Sequence, residues 1–314
     1  MNSMMKKNIV FFGSGVFAVE VLKEIDRSCF EIRLVVTQPD RQKGRHLQTA
    51  ATPVKTYAQE NGLDVFQPQD INSRESIEML KFQAADIFLV VSYGRILSQA
   101  VLEIPRLAVN IHSSLLPRYR GAAPVNWALM KNEKKTGVTF IKMNACMDQG
   151  DILVQKMIPV GARDHARSLD EKLARLAAGL VNTVLKDALA GRLKPKKQDH
   201  KKATFAPLIC KHHGLIQWDK TSREIYNGFR GCYGWPGSYT HYKGKVLKIL
   251  DLKVGRNRAK AVPGTVLKAK DNELEIACSH GSVVITEVLP ESHKKMSVAS
   301  FLAGHPVKVG EVLG

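Results

Sequence analysis

Through roughly its first 190 residues the chain alternates between short apolar runs and stretches of helical spacing. Residues 8–12 are an apolar run stopped by Gly13, and residues 16–25 then set Phe17, Val21, Leu22 and Ile25 on one side of a helix. A second run, Ile32-Arg33-Leu34-Val35-Val36, ends at Gln38-Pro39-Asp40. Thr52-Pro53 has the form of an N-cap followed by proline in the first turn, which predicts a helix to about Asn61. Asn72-Ser73-Arg74-Glu75 has capping-box spacing ahead of another helix. The β-branched run at 86–91 predicts a strand buried on both faces. Further strands are expected at 108–112, 137–143 and 152–159, and a long closing helix at 168–190. Strands and helices alternating in this way predict an α/β fold, a doubly wound, mostly parallel, Rossmann-like sheet.

The pattern changes at Gly191. Residues 191–205 hold Arg192, Lys194, Lys196, Lys197, Lys201 and Lys202 against Asp199 alone, with no helical stripe. Such a segment is either a plain linker or a linker that also tracks phosphates. Beyond it, residues 246–254, 264–270, 273–280 and 281–289 are short alternating runs punctuated by glycine. They predict a smaller, mainly antiparallel β domain, an open OB-like barrel. The expected organisation is a catalytic domain over 1–190, a basic linker over 191–206 and a C-terminal β domain over 207–314.

Composition narrows the class. In 314 residues, 44% hydrophobic and 24% charged content supports a large core and excludes global disorder. No apolar run approaches the roughly 18 residues of a membrane span. The opening Met1-Asn2-Ser3-Met4-Met5-Lys6-Lys7 leads straight into a run too short for a secretory signal, so a soluble cytoplasmic protein is expected. Five scattered cysteines without a C-x-x-C pair argue against a disulfide framework and a structural zinc site. The formal charge of +18 is more than solubility needs and points to a polyanionic partner, of which nucleic acid is the commonest.

Gly13-Ser14-Gly15-Val16-Phe17-Ala18 fits the dinucleotide fingerprint G-x-G-x-x-[GA]. That fingerprint also needs a carboxylate at the end of the second strand, to hold the ribose hydroxyls. Here the strand ends Val35-Val36-Thr37-Gln38, and Asp40 falls beyond a proline. A tight strand-to-helix turn is the better reading, and NAD is not expected.

The densest chemistry lies between Asn110 and Asp151. Asn110 and His112 stand two residues apart at a strand end, so their side chains share a face. A loop with two prolines, a glycine and two arginines follows, then a strand and a turn carrying Asp148-Gln149-Gly150-Asp151. Asn can donate to a developing oxyanion, His can donate a proton or a charged hydrogen bond, and Asp can orient an imidazolium. A structural histidine beside a turn aspartate would give the same spacing.

The stretch Asn110-x-His112-x-Ser114-Leu115-Leu116-Pro117-x-Tyr119-Arg120-Gly121-Ala122-Ala123-Pro124, with Thr136-Gly137-Val138-Thr139 and Asp148-x-Gly150-Asp151, resembles the formyltransferase family that uses 10-formyltetrahydrofolate. Thr37-Gln38-Pro39-Asp40-Arg41, Tyr93-Gly94, Gly214-x-Ile216-x-Trp218, Trp235-Pro236 and Lys295-Met296-Ser297 extend the resemblance over both domains. The chain departs from the family's usual wording at Cys146 and Gln149, in the loop after Asp40, and at His212-His213 ahead of Gly214.

The resemblance implies a one-carbon transferase of translation initiation. Its co-substrate would be 10-formyltetrahydrofolate, its acceptor the α-amine of an initiator methionyl-tRNA, and no metal is implied. Asn110, His112 and Asp148 would be catalytic. Tyr93, Gly94, Ile96, Leu97, Ser114, Leu115, Leu116 and Pro117 would contact the folate. Phe17 would flank the methionyl end, although a helix-face core position explains it equally. Arg41, Lys43, Arg45, Lys194, Lys196 and Lys197 would meet the tRNA. A monomer without membrane contact is expected. A sugar amine as acceptor, or hydrolysis of the formyl-folate, stays open as an alternative. An RNA-binding protein on the same scaffold would not need all three polar residues.

Overall fold

The computed structural model describes residues 6–43, 48–256 and 260–314, in two compact units. The first comprises Met1–Pro124, Lys135–Pro159 and Asp170–Ala206; the second comprises Val125–Lys134, Val160–Leu169 and Pro207–Gly314.

The elements run β1 (Lys7–Gly13), α1 (Val16–Asp26), β2 (Phe30–Val36), β3 (Arg41–Lys43), β4 (Gln48–Ala50), α2 (Pro53–Glu60), β5 (Val65–Phe66) and α3 (Arg74–Phe82). They continue with β6 (Ile87–Val91), α4 (Gln99–Leu102), β7 (Leu107–His112), α5 (Pro124–Met130), β8 (Lys135–Lys142), β9 (Asp151–Pro159) and α6 (Ala166–Leu189). Seven strands form one sheet in the order β5-β2-β1-β6-β7-β8-β9. The first five are parallel, and β8 and β9 add an antiparallel edge. The doubly wound sheet expected from the alternation is present. Strand order reverses at β1, with β2 on one side and β6 on the other, which opens a crevice at the carboxyl ends.

Phe12 anchors the packing beneath that crevice, its ring 5.1 Å from Phe88 and 5.6 Å from Tyr93. Val10, Leu34, Val36, Val90 and Leu97 complete the same buried cluster. Burying each such side chain contributes about 1.5–3 kcal/mol.

Thr52 caps α2 by accepting from the Lys55 N–H, as the Thr-Pro pair predicts. At α3 the cap falls one residue later than expected: Ser73, not Asn72, accepts from the Ser76 N–H. Asn72 is drawn elsewhere, donating to the Ile96 carbonyl at 3.0 Å and accepting from the Ser98 N–H at 2.7 Å.

The basic segment 191–206 packs as part of the first unit. Lys196 exchanges backbone hydrogen bonds with Ile152, and a few residues on the Arg120 N–H donates to the Thr204 carbonyl while the Ala206 N–H donates to the Arg120 carbonyl. From Pro207 onward the chain belongs to the second unit.

That unit contains α7 (Ser222–Gly231), β10 (Ser238–Tyr242), β11 (Lys245–Val254), β12 (Val266–Lys270), β13 (Glu273–Ala277), β14 (Ser282–Pro290), β15 (Met296–Ser297) and α8 (Val298–Gly304). The strands form an open antiparallel sheet, β10-β11-β14-β13-β12, with β15 on β14. Its core gathers Trp218, Ile225, Leu247, Ile285 and Phe301, and the Trp218 indole donates to Thr240 Oγ1 at 3.1 Å. Sequence spacing did not predict α7, which holds two glycines and buries Asn227 and Arg230. Its legible signal is the Thr221/Glu224 capping box.

Candidate active site

β7 delivers the first two polar groups. Within the sheet Asn110 pairs with Ile141 and His112 with Thr139, so both side chains leave the same face near the strand's end. His112 is 6% exposed, deep enough that its ring nitrogens need protein partners. Nε2 lies 2.9 Å from the Tyr119 carbonyl and Nδ1 lies 3.6 Å from Asp148 Oδ1. Both neighbours are acceptors. The second distance is ion-pair reach rather than a tight hydrogen bond.

Asp148 arrives from the turn between β8 and β9. Asn110 Nδ2 donates to its Oδ1 at 3.3 Å, and the Gly121 N–H donates to its Oδ2 at 2.8 Å. Its backbone sits at φ +55°, the left-handed region that costs a non-glycine residue about 1–2 kcal/mol. The two carboxylate bonds oppose that cost, together with a 2.8 Å bond from Gln198 Nε2 to the Asp148 carbonyl. Gly121, at φ +117°, must be glycine for its N–H to reach the carboxylate, because a Cβ would stand 2.8 Å from the Ala206 carbonyl oxygen.

Asn110, His112 and Asp148 line a cavity of about 390 Å³. Apolar walls come from Val90, Leu97, Ile111, Ile141 and Met143. Tyr93, Gly94, Arg95, Ile96, Cys146 and Met147 also line it, and among the described residues Arg95 is the one Lys or Arg in its lining. Burial pushes the Tyr93 phenol up to about 12, so it stays neutral.

The structure thus brings Tyr93, Gly94, Ile96 and Leu97 to one cavity with the three polar residues. Ser114, Leu115, Leu116 and Pro117 are not among its lining residues. The loop is tied to β8: Ser114 Oγ donates to the Arg118 carbonyl, and Thr139 Oγ1 joins the Ser114 carbonyl to the Leu116 N–H. Phe17 is 4% exposed on the inner face of α1. Arg41 is exposed and donates to Gln38 Oε1 at 2.6 Å. Lys43 closes β3, and Arg45 lies outside the described residues. Lys194, Lys196 and Lys197 are exposed.

Among the described residues, no carboxylate hydrogen-bonds to the Gly13–Gly15 turn at the end of β2. Ser14 Oγ instead accepts from the Gln38 N–H, and Gln38 Nε2 donates to the Tyr93 carbonyl at 2.6 Å. Asp40 is taken by Lys55 at 2.6 Å and Gln67 at 2.8 Å, and these hydrogen bonds hold its carboxyl below the usual range. Sequence reasoning missed Gln198, Arg95 and the Tyr119 carbonyl. Gln198 gave no signal in a run of lysines, and a carbonyl's direction has no signature in side-chain pattern.

A doubly wound sheet with an Asn–His–Asp cluster at its carboxyl edge defines an α/β enzyme built for transfer of an acyl-type group. The chain belongs to the formyl transferase family: residues 6–185 match the formyl transferase domain and residues 208–306 its C-terminal domain. It is 40% identical over 307 residues to the methionyl-tRNA formyltransferase of Caldanaerobacter subterraneus subsp. tengcongensis, covering 97% of this chain and 99% of that one. The methionyl-tRNA formyltransferase of Acetivibrio thermocellus is 41% identical over 308 residues, covering 98% and 99%. Among solved structures, an N-formyltransferase from Helicobacter canadensis in complex with folinic acid and dTDP-3-aminofucose superposes with a TM-score of 0.66. It is 20% identical and covers 93% of this chain and 100% of its own, a likeness of fold.

Proposed function

We propose that the chain transfers the formyl group of 10-formyltetrahydrofolate to the α-amine of methionyl initiator tRNA. One observation carries the reading. A single carboxylate oxygen of Asp148 stands 3.3 Å from Asn110 Nδ2 and 3.6 Å from His112 Nδ1, at the wall of a cavity reached from the strand ends. Relatives of that activity, matched over nearly the whole length, support it.

The cavity's chemistry fits a reduced folate. A flat ring system can lie between the apolar walls of Leu97, Ile111 and Ile141, with polar groups at one end and Arg95 for an acidic tail. The folate supplies the activated formyl carbon. An α-amine has an ordinary pKa near 8, so it is partly neutral at pH 7 and attacks without a strong base. As the new C–N bond forms, the formyl oxygen gains negative charge. Asn110 and His112 stabilise it by hydrogen bonds, and Asp148 keeps the imidazole oriented and compensated. The bond from the formyl carbon to the folate nitrogen then breaks, and Asp148 carries the proton lost by the amine to that nitrogen.

The +18 charge supports an RNA acceptor over a sugar amine, since a small sugar needs no such field. Exposed Arg41, Lys194, Lys196 and Lys197 position the phosphates without reading bases. The enzyme acts as a monomer in the cytoplasm.

The test follows labelled formyl from the folate onto methionyl initiator tRNA, with His112→Ala and Asp148→Asn alongside. Each substitution should slow transfer by about 10²–10³-fold. Release of formate without transfer would replace this reading with a hydrolase. Transfer only to an amino sugar would replace the acceptor.

A further inference from the structure

We propose that Cys210, His212 and His213 form a transition-metal site at the start of the second unit, suited to Zn²⁺. One donor atom from each of the three lies within 4.8 Å of the others. Cys210 Sγ is 3.3 Å from His212 Nδ1 and 3.2 Å from His213 Nδ1. In a tetrahedral zinc site, bonds of about 2.3 Å to sulfur and 2.0–2.1 Å to nitrogen set the sulfur–nitrogen edge near ~3.6 Å. The cluster therefore needs to open by only a few tenths of an ångström to take an ion, which side-chain rotation supplies.

Local structure holds the three together. Cys210 precedes a short turn, Lys211–Gly214, that brings residues two and three positions apart back over one another. The Cys210 N–H donates to His213 Nδ1 at 3.0 Å, which fixes the ring beside the Cys210 thiol, and an incoming ion takes over that lone pair from the N–H. The Trp127 ring packs edge-on against His213 at 5.5 Å, and the His212 and His213 rings lie 4.1 Å apart. Behind them the Cys232 thiol donates to the His213 carbonyl at 3.3 Å. Gly214 is seated so closely that a Cβ would come 2.1 Å from the Gly237 carbonyl oxygen. The backbone is fixed while the donor side chains face outward.

Donor chemistry selects the metal. One thiolate and two imidazoles suit Zn²⁺ and its neighbours in the transition series, and exclude Mg²⁺ and Ca²⁺, which want oxygen. Three protein donors leave a fourth position to water or an outside ligand. Binding exchanges the thiol proton for the ion, so affinity falls as pH falls. None of the three donors belongs to the cavity of the proposed formyl transfer, and the site stands or falls independently of that reaction.

Cobalt is the probe, titrated into the full chain under reducing conditions with zinc as competitor. The expected result is one equivalent of Co²⁺ with the intense visible bands of a four-coordinate ion and a near-ultraviolet thiolate-to-cobalt band. One equivalent of Zn²⁺ should displace it. Cys210→Ser should abolish the thiolate band, and Cys29→Ser, at an exposed thiol outside the cluster, should leave it intact. His212→Ala and His213→Gln should each weaken binding at least about tenfold, the lower end of what even outer-shell losses cost. The glutamine keeps an acceptor for the Cys210 N–H, and circular dichroism checks that each variant folds. Absence of saturable binding, a weak six-coordinate spectrum, or a thiolate band that survives Cys210→Ser would each overturn the site.

Discussion

Gln198 Nε2 donates to the carbonyls of both Asp148 and Gly150, 2.8 Å from each, while its Oε1 accepts from Arg120 Nη2 at 2.7 Å. One buried amide thus ties the strained turn of Asp148 to the arginine of the long central motif. Gln198→Leu should lower kcat by about 10–100-fold with little change in KM, since a misplaced carboxylate affects chemistry before binding. It should also cost about 2–3 kcal/mol in urea unfolding, because Arg120 is left buried without that acceptor. Gln198→Glu separates the two effects: it keeps a partner for Arg120 and recovers stability, but it cannot donate to the two carbonyls. A Glu variant with full kcat would show that the turn needs no such support.

The thiols fall into two groups. Cys29, Cys146 and Cys210 are exposed, whereas burial pushes Cys232 up to about 11 and Cys278 up to about 12. Alkylation of the native protein at pH 8 should modify the first three, and all five only after unfolding. Cys146 lines the cavity, so saturating folinic acid should protect it and leave Cys29 reactive. Mass spectrometry of the labelled peptides reads both. Equal labelling of Cys146 with and without ligand would place the folate elsewhere.

Asp170 on α6 has its carboxyl pushed from 3.8 up to about 6, by burial first and the neighbouring Glu171 charge second. Between these values the folded chain holds a proton that the unfolded chain releases, so this group's contribution to stability falls as pH rises through the window. The penalty is complete above about pH 6 and absent below about pH 4. Asp170→Asn should therefore stabilise the protein at pH 7.5, by up to about 3 kcal/mol, with most of the gain gone at pH 4.5. Urea midpoints at the two pH values decide it, and a gain independent of pH would point to packing instead.

Lys194, Lys196 and Lys197 are exposed on a segment whose backbone is pinned to β9 through Lys196 and Ile152. Replacing all three by alanine should weaken tRNA binding and flatten the slope of log K against log salt by about 2, as released counterions are lost. Formyl transfer at saturating tRNA should be unchanged. An unaltered slope would assign the phosphates to other basic residues.

Much of the first unit was legible because its signals are local. The runs behind β1, β2 and β6, and the Thr52-Pro53 start of α2, need only a few neighbouring residues to declare themselves. Asn110 and His112 were placed on one face by the two-residue period alone. The second unit was legible only where its strands alternate. α7 escaped because its glycines and buried Asn227 and Arg230 break the apolar stripe, and the capping box at Thr221 was its one local mark.

By itself the sequence determined the alternation that winds the sheet, the turn chemistry that starts its helices, and the residue types available for oxyanion chemistry. Tertiary structure alone decided which of those residues meet. It set Asp148 between Asn110, His112 and the Gly121 N–H. It also brought Gln198 across 50 positions to the turn of Asp148. Periodicity records the face on which a side chain leaves its own backbone. The direction of a carbonyl, or the approach of a distant segment, is fixed only when sheet and loops close on one another.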